Sequence, residues 1–112
     1  MNPNRTLLSG STELMLMKLL EKEDMYGYQM IEELRRRSDH TFDLKAGTLY
    51  PLLHTLEQRG LIEAWEEQAA GRPRRYYRLT EKGRGQLAQK EAEWRSFSRG
   101  VDLVLEGGAL YA

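Results

Sequence analysis

Leu49, Leu52, Leu53 and Leu56 repeat with the i, i+3, i+4, i+7 spacing of one buried helical stripe. Gly60 follows directly and suits the left-handed C′ position that ends such a helix. A helix this short is marginal in water by itself, so its leucines need cover from other elements. Two candidates precede it. Residues 12–21 predict a helix capped by Ser11, with Leu16, Leu19, Leu20 and flanking methionines on a broad apolar face. Residues 26–37 predict a second helix with Tyr28, Ile31 and Leu34 inward. The leucine-bearing helix starts between Ala46 and Leu49 and stops at Arg59. Pro51 leaves two starts open: Thr48 as cap puts it in the first turn, whereas an earlier start implies a kink.

Two strand-like runs follow, Leu61 to Glu67 and Arg74 to Thr80, joined by a loop at 68–73 with Gly71 and Pro73 as breakers. A long helix then runs from Thr80, as cap, to about Glu106, and Gly107 and Gly108 end it. The fold class read from this order is mainly α with a small β-hairpin: a winged helix-turn-helix plus a long C-terminal helix. Residues 1–10 read as an N-terminal arm, 11–80 as the winged unit and 81–112 as a dimerisation helix and tail.

Composition removes several function classes. The chain has 112 residues and no cysteine, which leaves no disulfide framework, iron–sulfur site or cysteine nucleophile. No apolar run approaches the roughly 20 residues that span a bilayer. The expectation is a cytoplasmic protein without membrane attachment. The serines lack any motif linking them to His40 or His54, and the glycines at 83 and 85 do not follow a strand as a phosphate loop would. Asp39, His40 and Asp43 form a weak loop cluster for a metal, and a solvated loop explains them as well. No metal site, no cofactor and no enzymatic activity are expected.

The 17 basic and 17 acidic residues cancel, yet their distribution is uneven. From Arg72 to Arg84, six basic residues face Glu81 alone, a local +5 that leaves −5 elsewhere. Such a block is either an anion-binding face or a solvated strand pair. Arg35, Arg36 and Arg37 likewise suit either phosphate or the negative pole of their own helix. In a winged helix-turn-helix the third helix enters the major groove and the hairpin flanks it. Lys45, Thr48, Tyr50, His54, Thr55 and Gln58 would then meet DNA from the third helix, and Arg72, Arg74, Arg75 and Tyr76 from the wing. The alternative is a winged helix that binds protein, a class that loses positive charge on its wing.

Specific strings carry a family resemblance. Tyr26-Gly27-Tyr28, Gly47-Thr48-Leu49-Tyr50-Pro51-Leu52-Leu53, Leu56-Glu57-Gln58-Arg59-Gly60-Leu61-Ile62 and the run from Gly71 through Tyr76-Tyr77-Arg78-Leu79-Thr80 to Gly83 resemble the PadR family of transcriptional regulators. The resemblance covers most of residues 12–106. It departs from the family at Lys45, where many relatives carry a small capping residue. It implies a homodimeric DNA-binding regulator, usually a repressor released by a small molecule or stress signal, with the C-terminal helix as dimerisation element.

The residues add their own argument for the dimer. Leu87, Trp94 and Val101 lie seven apart, with Phe97 and Val104 three after two of them, as in the a and d positions of a helical seam. Lys90 is its polar d residue, and residues 12–20 are expected to contribute. A twofold dimer implies a pseudo-palindromic operator on double-stranded DNA. Trp94 and Phe97 near that axis either fill the dimer core or hold a planar aromatic effector. The resemblance adds that some short relatives bind planar compounds between tryptophans at the equivalent place.

Overall fold

The computed structural model describes the backbone of residues 3–69 and 71–107 and the side chains of residues 10–68 and 71–107. The elements in order are helix α1 (Pro3–Leu19), strand β1 (Met25–Tyr26), helices α2 (Gly27–Arg37) and α3 (Ala46–Gln58), strands β2 (Ile62–Ala69) and β3 (Arg72–Leu79), and helix α4 (Glu81–Leu105). The strands form one antiparallel sheet in the order β1-β3-β2. This is the mainly helical winged arrangement with a long last helix that the sequence implies.

The N-terminal arm needs correction. Residues 1 and 2 lie outside the described residues, but 3–10 belong to α1, and Ser11 sits inside that helix and does not cap it. Pro3 fits a first turn, where a missing amide has no intrahelical partner. Asn, Ser and Gly lower helix propensity by at most about 1 kcal/mol each. The packed stretch that follows overrides that cost, with Leu16, Met17, Leu19 and Leu20 all buried.

The inner side of α2 is also displaced from expectation. Gly27, Met30 and Leu34 are buried, Ile31 is partly covered, and Tyr28 points outward at 62% exposure. A glycine carries no hydrophobic signal, so a stripe beginning at Gly27 is invisible to apolar periodicity.

Helix α3 takes the earlier of its two possible starts. Lys45 is the N-cap in extended conformation, without a side-chain capping bond, and Pro51 falls in the second turn. The far end closes as expected. Gly60 has φ +73°, its N–H donates to Glu57 O at 3.0 Å, and Leu61 N–H donates to Leu56 O at 3.0 Å. These two bonds make a Schellman motif, and buried Leu56 and Leu61 supply its apolar contact.

The strands outrun their expected ends. Pro73 pairs with Gln68 and Arg72 with Ala69, so most of the expected loop is ladder, and Gly71 turns the chain at φ +84°. β1 reaches only Tyr76 and Tyr77, which leaves β3 an open edge at the height of Pro73, where a missing donor does no harm.

Helix α4 begins at Thr80, whose Oγ1 accepts from Gly83 N–H at 3.0 Å, and it ends before Gly107 at φ +79°. Its start is packed into the winged unit. Gly83 is buried against the carbonyl of Leu61, and Leu87 is 2% exposed within the shared core. Leu87 is therefore not a seam residue but a core residue of its own subunit. Beyond it the helix projects, giving extents of 66 × 29 × 28 Å and a radius of gyration of 16.6 Å. About 13 Å would be usual for this length.

Candidate nucleic-acid interface

Burying Leu49, Leu53 and Leu56 fixes the rotation of α3 and so decides what it shows outward. Thr48, Pro51, His54, Thr55 and Gln58 are exposed on the opposite side, with Tyr50 on the flank nearest α2. Thr55 Oγ1 donates to the Pro51 carbonyl at 3.0 Å, so its hydroxyl is oriented by its own helix. Lys45 stands at the entrance with its side chain 80% exposed, 3.8 Å from Asp43. All six α3-side residues expected to meet DNA are thus exposed on α3 or at its entrance.

The wing divides its arginines between two faces, because successive strand residues point opposite ways. Arg75 lies on the face of buried Tyr77 and reaches Glu57 of α3 at 3.0 Å, tying the hairpin to the helix. Arg74 lies on the other face, with its guanidinium 4.7 Å from the Tyr26 ring centre. On that same face Tyr76 stacks on Trp65 at 4.7 Å between ring centres and meets the edge of Tyr26. Trp65 Nε1 donates to Asp24 at 2.9 Å. Tyr76 is half-buried in this aromatic layer, a brace of the wing on the side away from Arg75.

The local charge of +5 is only partly available. Arg78 pairs with Glu63 at 3.0 Å, Lys82 donates to the Arg59 carbonyl at 2.9 Å, and Arg84 donates to the Glu21 carbonyl at 3.1 Å. No carboxylate among the described residues pairs with Arg72 or Arg74. The Arg35–Arg37 run is committed to Glu32, Glu33 and Asp43. Hydrogen bonds from Arg36 and then Arg37 hold the Glu33 carboxyl down at about 2.

The outer part of α4 carries a second surface. Trp94 and Phe97 are 45% and 58% exposed with ring centres 6.0 Å apart. With Gly10, Ser11 and Leu14 of α1, and Lys90 and Glu93, they line an open groove of about 300 Å³. Val101, Val104 and Leu105 continue the exposed apolar face, and Leu103 is exposed on another side of the helix.

The sequence profile of the transcriptional regulator PadR-like family matches residues 16–89. The chain belongs to the PadR-like family. PadR-like proteins are DNA-binding transcriptional regulators and not enzymes, and this chain is one of them. It is 36% identical over 78 residues to the transcriptional regulator Rv3488 of Mycobacterium tuberculosis, covering 70% of each chain. A PadR family transcriptional regulator from Eggerthella lenta superposes with a TM-score of 0.76 at 34% identity, over 90% of this chain and 87% of that one. A transcriptional regulator from Clostridium thermocellum gives 0.80 at 28% identity, over 87% and 95%. No helix among the described residues of this PadR-like regulator is long and apolar enough to cross a membrane.

Several residues of the PadR-like surface carry no signal in the sequence. Glu57 reads there as one more exposed acid, and only the fold brings it to Arg75. Tyr26 becomes a platform for Arg74 because the two-residue β1 pairs with β3. Leu105 falls outside a strict seven-residue repeat, yet it is exposed and shares a shallow apolar groove with Phe97, Val101 and Val104.

Proposed function

We propose that this PadR-like regulator acts as a homodimeric, sequence-specific repressor that a planar aromatic effector releases from DNA. The observation that carries the reading is the continuity of the polar α3 face with the wing through Arg75–Glu57. In this reading Lys45, Arg72, Arg74 and Arg75 hold phosphates, while Thr48, Tyr50, His54, Thr55 and Gln58 face base edges. Tyr76 supports the wing from within its aromatic layer. Residues 11–80 form the DNA-reading unit, and 81–112 join two copies through Trp94, Phe97, Val101 and Val104. Its exposed apolar side supports α4 as the dimer element, and the Trp94–Phe97 groove supports an effector site there. The regulator works in the cytoplasm on a pseudo-palindromic operator.

The test is selection of bound duplexes from a random pool at two salt concentrations. The expected result is an inverted-repeat motif whose affinity falls steeply with salt, as counterion release requires. Salt-independent retention without any enriched motif would overturn the reading and point to a winged helix that binds protein.

A further inference from the structure

Helix α2 begins against the flank of α3, and one glycine governs how they meet. Gly27 is buried, and the Tyr50 ring lies where any other residue would carry its Cβ. An ideal Cβ built there falls 2.8 Å from Tyr50 Cζ and 3.1 Å from Cε1, with the hydroxyl nearer still. Carbon atoms pack at about 3.5–4.0 Å, so the two groups exclude each other. Tyr50 is nevertheless 48% exposed, with part of it fitted onto α2 and part left open to the exterior. The seat is firm, because Tyr26 N–H donates to the Gln29 side chain at 3.1 Å and pins the start of α2.

Gly83 is the instructive contrast. A Cβ there collides with the Leu61 backbone, which cannot yield without moving the α3–β2 junction. At Gly27 the obstacle is the tip of a side chain that swings aside into another rotamer. A methyl group at position 27 therefore displaces Tyr50 and spares the fold.

We propose that Gly27 is a positioning residue for DNA recognition: its missing side chain seats the tip of Tyr50 on α2 and so fixes where the exposed part of Tyr50 meets DNA. The inference rests on α3 being the DNA-reading helix. A side chain already held in one rotamer loses less freedom on binding, so the seat contributes affinity as well as register.

The experiment compares the full-length wild type, Gly27→Ala, Tyr50→Ala and the double variant on duplexes selected by the wild type. Binding is read by fluorescence anisotropy and folding by thermal melting. Gly27→Ala is expected to weaken specific binding by up to about tenfold, the upper end of the net worth of one hydrogen bond to a base edge, with the melting temperature nearly unchanged. Its ranking of sequences shifts as in Tyr50→Ala, and the double variant binds no worse than Tyr50→Ala alone. Three results overturn the proposal: wild-type affinity in Gly27→Ala, an equal further loss when Gly27→Ala is added to Tyr50→Ala, or failure of Gly27→Ala to fold. A wild type that selects no DNA has a different signature, since it removes the DNA reading and the proposal together.

Discussion

At Gly83 one hydrogen atom decides whether α4 can join the core. The helix starts directly against the Leu61 carbonyl, with Leu79 Cδ1 2.8 Å from the place of a Cβ. Gly83→Ala is expected to cost about 1–3 kcal/mol, the range for overpacking a site that cannot yield. Urea unfolding would show it as a lower midpoint at unchanged slope, and an unaltered midpoint would refute the packing account. Glu33 supplies a second expectation. Its carboxyl sits at about 2 when folded, against a usual value of 4.5, because Arg36 and Arg37 donate to it. The unfolded chain therefore binds more protons between those values. The contribution of Glu33 is complete above about pH 4.5 and disappears as pH falls through about 2. Glu33→Gln is expected to make the loss of stability across that window shallower, with Asp43 and Glu91, also lowered by arginine partners, still contributing. An identical acid profile in the variant would contradict it. At this scale the sequence was readable where the signal is local. Gly60 and Thr80 follow from cap chemistry within four residues of themselves. Gly27 and Glu57 answer to partners 23 and 18 residues away, Tyr50 and Arg75, which no periodicity reveals.

The wing shows how an element can be read correctly and still be charged differently from its composition. Two strands and a basic strip follow from apolar, aromatic and arginine content, but their ends do not. The ladder continues through Pro73 because strand pairing across Gln68 outweighs the breaker residues. The two wing faces then separate Arg72 and Arg74 from Arg75. Arg72, without a described carboxylate partner, is expected to act as a plain phosphate contact: Arg72→Ala lowers the salt slope of DNA binding by about one and weakens all sequences alike. Arg75 shares its charge with Glu57. Arg75→Ala is expected to cost more than Arg72→Ala, because it also leaves the Glu57 carboxylate facing the phosphates. Glu57→Gln frees Arg75 and is expected to tighten binding while steepening the salt dependence. Salt titrations of the three variants decide it, and a Glu57→Gln protein that binds more weakly would show the pair to be a strut that DNA binding needs intact.

In the whole molecule, α4 does two jobs along one 25-residue length. Its first turns complete the core through Gly83 and Leu87, and its outer turns present Trp94, Phe97, Val101 and Val104 to the exterior. A regular seven-residue pattern hides that change of role, because Leu87 and Val101 carry the same signal in opposite surroundings. The division yields contrasting outcomes. Leu87→Ala is expected to lower subunit stability by about 2–5 kcal/mol, as for other buried leucines, whereas Val104→Asp is expected to yield folded monomers in sedimentation. Dimeric Val104→Asp would move the interface elsewhere. A twofold dimer on this face is expected to set the recognition helices about 34 Å apart, one turn of DNA. Such a dimer is also expected to bring two copies of the groove between α1 and α4 towards its axis. The groove is open in the single subunit, with tilted Trp94 and Phe97 rings and with Lys90 and Glu93 among its polar lining. Such a site suits a flat aromatic compound, since indole stacks on planar partners of varied chemistry. Trp94 emission can report on it once the second tryptophan is removed. Trp65→Phe is the background for this, though it forgoes the bond to Asp24 and needs a check that the wing still melts normally. Titration with planar aromatic compounds is then expected to quench Trp94 saturably and to release operator DNA over the same concentration range. Trp94→Ala is expected to remain dimeric, to bind DNA and to lose the response. If no compound quenches and Trp94→Ala separates the subunits, the ring fills the dimer core and the effector site is not in this groove.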